Sequence, residues 1–513
     1  MVIRIVCLSI AAAVGFGAVP AGAAELVLHH PDFHARLGMK VCVEVGEAAP
    51  GVSLSAVLSS AGSFRKTVAQ VPGPLRPEEA ITLDLRPLPS AEYTLTVRLS
   101  DGRQAVRTWR KPYDGIPRVG IDENNAVCVE GRPFFPVTPW GVGGSEESLE
   151  TWGDFINTLN GYTFSDDEAT IEGWKKALDR AGEHGIMVIG PAYGHYWPNG
   201  SGRRFYSRDD ERLKDREANL DAIADYVRQT RDHPALLMWS WLDEPELDTP
   251  SNCVTPAEVR RWTEKCHELD PQHPVYLNTG GSGFVRPDGS WLYNHIRTYT
   301  YVFGTADPSR KVLVADVLSQ DYYPISNKGS SRGGTPITIE NMCLAMDRMG
   351  AWNGGLTPLM AFVETCAIRG SATSPTPAEL RLLCWANIIH GARGISWFHY
   401  FSPTPEENFR EMARFKEQVT RLARAVLGAD YGGSVACSTS GKGRVDVMVK
   451  QAEAAVWVFA ANVRSEPATL TVELDRAIRS VQVVDEDRSI APAGKAFADE
   501  FEPLAVHIYR LGM

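Results

Sequence analysis

The chain has 513 residues, of which 44% are hydrophobic and 22% are charged. This composition is typical of a folded globular protein and excludes a disordered chain. At roughly 150 residues per domain, the length corresponds to about three domains, or to one large barrel with accessory domains. The 52 Lys and Arg residues against 63 Asp and Glu residues give a net charge of −11. An acidic chain with no basic block is a poor candidate for binding nucleic acid or an anionic membrane.

The first 24 residues are predicted to be a secretory signal peptide. Residues 1–4 are weakly basic, residues 5–19 are mostly apolar, and Ala21-Gly22-Ala23 has the small side chains of a cleavage site. We therefore expect the mature chain to begin at Ala24 or Glu25 and to be secreted or periplasmic. No later segment reaches about 18 consecutive apolar residues, so no membrane span is predicted.

Residues 25–115 are predicted to form an N-terminal β-sandwich, of an immunoglobulin-like kind. Apolar and other residues alternate with a period of two in Val41–Val45, Ile81–Leu85 and Tyr93–Val97, and turn residues separate these runs. No long helical period occurs here. The segment contains no cluster of catalytic residue types, so we expect the chemistry to lie elsewhere.

Residues 116–430 alternate between strand and helix patterns. An Asn124-Asn125 turn precedes the predicted first strand, and 359–363 is continuously apolar, as expected of a strand buried on both faces. The predicted strands are 133–137, 155–159, 186–189, 235–241, 275–277, 312–317, 359–363 and 394–398, and the clearest predicted helices are 168–184, 216–230, 255–269 and 377–390. About eight repeats favour a (β/α)8 barrel over a doubly wound open sheet, which lacks support from a glycine-rich first turn.

Residues 431–513 return to strand alternation and predict a second β-sandwich. The clearest runs are Val445–Val449, Ala455–Phe459 and Ala468–Leu474. The predicted fold class is therefore α/β, with a (β/α)8 TIM barrel flanked by N-terminal and C-terminal β-sandwich domains. No oligomeric state is predicted.

The cysteines give no sign of a metal site or a cofactor. The eight cysteines after residue 24 are scattered, with no Cys-x-x-Cys and no paired His spacing, at positions 42, 128, 253, 266, 343, 366, 384 and 437. A structural zinc site is therefore not expected, and neither a metal nor a cofactor is predicted. We expect most of these residues to be buried thiols.

Carboxylates and aromatic residues follow the predicted strands at the end where barrel enzymes carry their active sites. Asp243 and Glu244 follow the fourth strand, and Glu364 ends the seventh. Aromatic faces stack on the C–H faces of sugar rings, while a carboxylate pair can cleave a glycosidic bond, so we expect a carbohydrate substrate. The predicted substrate-binding residues are Trp140, His195, Trp197, Asp243, Tyr322, Tyr323, Trp397 and His399.

With Glu244 after the fourth predicted strand and Glu364 at the end of the seventh, the segment 116–430 resembles the clan-A retaining glycoside hydrolases. These include cellulases, mannanases and β-galactosidases. The segments VEGRPFFPVTPWG and HGARGISWFHY are similar to clan members. The resemblance implies that Glu244, after strand four, is the acid/base and that Glu364, after strand seven, is the nucleophile. Asp243 departs from the clan, which usually has Asn before the acid/base, and that Asn commonly binds a sugar hydroxyl.

Other interpretations of these motifs stay open. Asp243–Glu246 could be a loop that caps the next helix, and Glu364 could be a buried ion-pair partner. A noncatalytic carbohydrate-binding barrel would keep the aromatic rim but lose one carboxylate. An esterase rests only on the G-x-S-x-G match at 329–333, which lacks the strand and helix of a nucleophile elbow. A metal-dependent hydrolase is disfavoured, since no His-x-His ends an early strand.

Overall fold

The computed structural model describes residues 3–4, 26–32, 34–47, 50–140, 142–161, 170–191, 206–207, 217–218, 220–246, 254–285, 296–308, 310–332, 334–368, 370–399 and 402–513, and the structure below is that of these residues. The first part is all strand. Its elements are β1 (Ile3–Arg4), β2 (Val27–His29), β3 (Gly38–Glu44), β4 (Leu54–Ser60), β5 (Arg65–Val71), β6 (Glu78–Asp84), β7 (Ala91–Leu99) and β8 (Gln104–Lys111).

Two antiparallel sheets form this N-terminal part, with strand orders β2-β3-β6 and β5-β4-β7-β8. Alternate residues of both sheets point into one shared core, which includes Val41 of β3, Ile81 of β6 and Leu95 of β7. Residues with the opposite parity, such as Thr82 and Thr94, are more exposed, as the period-two pattern predicts.

The middle part alternates strands and helices and makes the chain an α/β protein. Its elements are β9 (Val119–Ile121), β10 (Val127–Val129), β11 (Arg132–Pro133), β12 (Val137–Trp140), α1 (Glu146–Trp152), β13 (Thr158–Asn160), α2 (Ile171–Glu183), β14 (Met187–Ile189), β15 (Tyr206–Ser207), β16 (Glu217–Ala218), α3 (Leu220–Thr230), β17 (Leu236–Met238), α4 (Pro256–Leu269), β18 (Tyr276–Gly280), β19 (Tyr301–Phe303), β20 (Lys311–Leu313), β21 (Val317–Asp321), β22 (Ser331–Arg332), β23 (Thr335–Pro336), α5 (Ile339–Trp352), β24 (Leu359–Glu364), α6 (Pro377–Ile389), β25 (Ala392–Phe398), α7 (Glu406–Arg421) and α8 (Ala423–Val426).

Eight of these strands lie in two parallel sheets, with orders β12-β25-β24-β21-β18 and β13-β14-β17. Backbone hydrogen bonds join the sheets at both seams. At one seam the N–H of Tyr276 donates to the carbonyl of Trp239 at 2.8 Å, and at the other the N–H of Asn157 donates to the carbonyl of Val137 at 3.1 Å. The carboxyl ends of parallel strands lie at the same edge, so residues that follow these strands are brought together there.

Alternation along these strands separates two faces. Met360 of β24 and Tyr276 of β18 belong to the cluster that the parallel strands enclose. Their neighbours Ala361 and Leu277 belong instead to the core between the strands and the helices. This parity decides which side chains at the strand ends can line a site.

The C-terminal part again consists of strands: β26 (Ala429–Asp430), β27 (Val435–Gly441), β28 (Val445–Ala452), β29 (Ala455–Asn462), β30 (Ala468–Leu474), β31 (Ser480–Val483), β32 (Arg488–Ile490), β33 (Ala496–Phe501) and β34 (Val506–Gly512). Its two sheets have the orders β1-β27-β30-β33 and β26-β28-β29-β34-β31-β32. The second sheet packs on helix α6, where the rings of Trp385 and Phe459 stack with centroids 5.6 Å apart. The helix core therefore continues into the C-terminal part.

Most element predictions are confirmed within a few residues. Helix 255–269 is observed as Pro256–Leu269, and its Thr255 N-cap accepts from the N–H of Glu258. Two strand predictions are wrong in extent. The first parallel strand begins at Val137, because Arg132–Pro133 pairs back on β10. The run 312–317 is split, since the buried carboxylate of Asp316 accepts from the N–H of Val275 and separates β20 from the parallel strand β21.

Candidate functional site

The segment after β17 carries two adjacent carboxylates in different environments. Asp243 is buried, whereas Glu244 is half-buried. Glu244 has a φ of +42°, a left-handed conformation that costs a non-glycine residue about 1 kcal/mol or more and that concentrates at functional sites. The backbone N–H of Glu244 donates to the carbonyl of Asn278 at 3.1 Å, so the neighbouring strand β18 holds the turn.

One amide side chain links the ends of three strands. The Nδ2 group of Asn278 donates to Oδ1 of Asp243 at 2.8 Å and to Oδ1 of Asp321 at 2.9 Å. One amide nitrogen therefore donates to carboxylates from two different strand ends. The hydroxyl of Tyr323 donates to the other oxygen of Asp321 at 3.3 Å. Asn278 carries no sequence signal that marks it as a site residue, and Asp321 was not among the predicted substrate-binding residues although it follows the sixth predicted strand.

Glu364 ends β24 on the enclosed face of the parallel strands. The backbone N–H groups of Ile325 and Ser326 donate to its two carboxylate oxygens at 2.6 and 2.8 Å. None of the residue is exposed to solvent. Burial raises the pKa of Glu364 to about 7, although the hydrogen bonds from Ser326 and Ile325 act in the opposite direction. The carboxyl group is thus held in one orientation.

Tyr323 follows β21 and donates its hydroxyl to Asp321. Burial raises the pKa of the Tyr323 phenol well above the usual value, and the negative charges of Asp321, Glu244, Asp243 and Glu364 act in the same direction. The phenol therefore stays neutral at neutral pH and keeps its hydrogen for the bond to Asp321.

Aromatic rings form a wall beside these carboxylates. Trp140 packs against Phe362 and Phe398 with ring centroids 5.8 and 6.3 Å apart, and Tyr323 packs on Phe398 at 4.8 Å. Trp140 and Phe398 are only partly buried, so an aromatic surface suited to a sugar ring is present. The sequence analysis missed Phe398, which strand parity could have found.

The side chains of two predicted substrate-binding residues lie in the outer core, away from the enclosed face of the parallel strands. Trp397 is wholly buried between the strands and helix α7, and its indole N–H donates to the carbonyl of Phe155 at 3.0 Å. Tyr322 is also buried in that outer core. Each is adjacent in sequence to a residue whose side chain faces inward. Successive side chains of a strand point to opposite faces, so these two face outward. In this structure neither side chain lies on the enclosed face that carries Glu364, so neither is placed to contact a sugar there.

Of the predicted histidines, His399 lies in the described part of the chain. His399 packs on the ring of Trp152 with centroids 4.4 Å apart, and burial lowers the pKa of His399 to about 4, which keeps it neutral. His195 and Trp197 lie outside the described residues. Their assignment to the substrate site stays a prediction.

Glu246 is a further buried acid near the site. The backbone N–H of Gly280 donates to its Oε1, while its Oε2 is buried and has no hydrogen-bond partner among the described residues. Burial, reinforced by the charges of Asp321 and Asp243, raises the pKa of Glu246 to about 8. Glu246 is therefore protonated at neutral pH. The sequence signal that could have identified Glu246 as a site residue is its position two residues after Glu244.

The comparisons with known proteins return distant structural similarities. No family model matches the sequence. Among solved structures, a cyclomaltodextrinase is 10% identical, with 94% of this chain and 99% of that chain covered and a TM-score of 0.48. A GH42 β-galactosidase from G. stearothermophilus is 10% identical, with 74% and 98% covered and a TM-score of 0.44. An exo-β-1,4-mannosidase from an Opitutaceae bacterium is 17% identical, with 60% and 64% covered and a TM-score of 0.41.

In the described part of the chain, no helix is both long and apolar enough to cross a membrane.

Proposed function

We propose that the chain is an exported retaining glycoside hydrolase of the clan-A type that cleaves β-linked oligosaccharides or polysaccharides. Its parallel strands would form a closed (β/α)8 barrel at 116–430, between β-sandwich domains at 25–115 and 431–513. The observation that carries the proposal is the hydrogen-bonded cluster of Asp243, Asn278, Asp321 and Tyr323 at the strand ends, beside a partly exposed aromatic wall. Glycoside hydrolases cleave the glycosidic bond with a pair of carboxyl groups, and aromatic rings stack on the sugar.

In this proposal Glu244 is the acid/base. It protonates the glycosidic oxygen while a carboxylate attacks the anomeric carbon, and the leaving alcohol departs. Glu244 then takes a proton from a water molecule, which displaces the sugar from the glycosyl–enzyme ester. Its partial exposure and strained backbone are consistent with a group that meets both substrate and water.

Glu364 is the proposed nucleophile, as the resemblance to clan A implies. Two backbone amides orient its carboxylate on the enclosed face of β24. Because Glu364 is fully buried, a sugar reaches its carboxyl group only when a neighbouring group moves. Asp321, which is half-buried and belongs to the same cluster, is the competing nucleophile. Asp243 and Asn278 would bind sugar hydroxyls, and Trp140 and Phe398 would stack on the ring.

The complete burial of Glu364 also favours a second candidate function, a noncatalytic carbohydrate-binding protein. In that case the aromatic wall would bind a glycan, and Glu364 would only anchor the turn at Ile325 and Ser326. The two functions differ in turnover and share sugar binding.

Hydrolysis of a panel of aryl glycosides, with aryl acetates as the control for an esterase, tests the proposal. We expect release of the phenol from a β-glycoside, and proton NMR should show that the first product keeps the anomeric configuration. An inverted product contradicts the retaining mechanism. Sugar binding without turnover of any glycoside supports the noncatalytic alternative.

A further inference from the structure

Three side chains with metal-binding atoms meet where helices α5 and α6 contact the C-terminal strands. They are Cys343 of α5, His390 at the end of α6 and Asp446 of β28. One donor atom from each residue lies within 4.8 Å of the other two. Nε2 of His390 is 3.1 Å from Oδ2 of Asp446. In a tetrahedral site with metal–ligand bonds of about 2.0–2.1 Å, nitrogen and oxygen ligands are about 3.3 Å apart, so this pair already has the required spacing.

The remaining polar atoms of the cluster are held by neighbours. Nδ1 of His390 is 2.8 Å from a carboxylate oxygen of Asp347, and Nε of Arg444 donates to Oδ1 of Asp446 at 2.9 Å. A metal-binding histidine ordinarily donates its second ring N–H to a carboxylate, which fixes the tautomer and directs the free nitrogen at the ion. Asp347 is placed for this role, with Nε2 of His390 directed to the cluster.

The cluster opens on a cavity. A cavity of about 800 Å³ lies between the helices and both sets of antiparallel strands, and His390, Asp446, Asp347 and Arg444 all line it. Cys343 is wholly buried behind them. Three protein ligands with one side open to a cavity leave room for a fourth ligand, such as water.

The geometry points to a metal site in which Cys343 Sγ, His390 Nε2 and Asp446 Oδ2 bind a divalent ion of the zinc class. Thiolate, imidazole and carboxylate together suit zinc better than magnesium or calcium, which take oxygen ligands. The site joins two helices to β28, so a bound ion stabilises the attachment of the C-terminal strands. It is independent of the proposed glycosidase site.

Cobalt binding tests this site directly, using the full chain after removal of metals with a chelator. A thiolate ligand produces a sulfur-to-cobalt charge-transfer absorption, so we expect that band to grow to one Co²⁺ per chain and to disappear when Zn²⁺ is added. Zn²⁺ should also raise the melting temperature. Absence of the band, together with no zinc retained after dialysis, overturns the proposal.

Variants identify the ligands. Cys343→Ser should abolish the charge-transfer band, and His390→Gln should weaken Zn²⁺ binding more than a hundredfold. Asp347→Asn should weaken it by about 10–100-fold, because it removes only the orienting carboxylate. Cys42→Ser is the matched control, since Cys42 lines the same cavity but is not one of the three ligands. A band that survives in folded Cys343→Ser, or that is lost in Cys42→Ser, overturns the assignment. If Cys343→Ser does not fold, His390→Gln provides the test instead. Wild-type zinc affinity in His390→Gln overturns the assignment.

Discussion

Replacement of Glu364 separates its proposed chemical role from its structural one. In Glu364→Gln, one carboxylate oxygen becomes an NH₂ group that faces a backbone N–H of Ile325 or Ser326. The buried N–H that loses its acceptor should lower the free energy of unfolding by about 1–3 kcal/mol. If Glu364 is the nucleophile, kcat should fall at least 10⁴-fold as well, which corresponds to about 5.5 kcal/mol in the activation free energy. The catalytic effect is therefore larger than the structural one.

Two assays measure these effects separately. Urea denaturation gives the stability change, and turnover of an activated aryl glycoside gives kcat. Because burial raises the pKa of Glu364 to about 7, the wild-type kcat/KM should fall about tenfold per pH unit below pH 7, where the carboxyl group is protonated. Added azide should restore turnover in Glu364→Ala and produce the inverted glycosyl azide. A folded Glu364→Gln protein with kcat within tenfold of wild type would remove Glu364 from the mechanism, and loss of activity in Asp321→Asn would then identify Asp321.

Three further predictions concern stability, the aromatic wall and export. The raised pKa of Glu246 makes a contribution to stability that is complete below pH 4.5 and is lost as the pH rises through about 8, by about 5 kcal/mol in total. Urea denaturation should therefore show a flatter pH profile for Glu246→Gln than for the wild-type protein. Phe398→Ala should raise KM about tenfold with little effect on stability, because the ring faces the site. Trp397→Ala should lower the free energy of unfolding by about 3–5 kcal/mol, because the ring is buried in the outer core. A large stability loss in Phe398→Ala with a KM effect in Trp397→Ala would contradict the faces assigned to these two rings. N-terminal sequencing of protein from the native host should find residue 24 or 25 first, and an intact Met1 would contradict export.

The order and type of most elements follow from local sequence patterns. Local signals are sufficient for this: Thr376 begins helix α6 through a capping box with Glu379, and the continuously apolar run 359–363 becomes the buried strand β24. These features depend on residues a few positions apart, so they can be read along the chain. The positions of Asp243, Glu244 and Glu364 at strand ends follow from the same reasoning.

Which side chains meet depends on how distant parts of the chain pack together. Asn278 belongs to a strand with no catalytic motif, yet it links Asp243 and Asp321 because parallel strands end at one edge. The parity that turns Trp397 outward depends on the register of β25 against β24, which no single strand encodes. Likewise, Cys343 and Asp446 are 103 positions apart, and no sequence spacing could indicate a shared site. Packing of the C-terminal sheet on α6 brings them together.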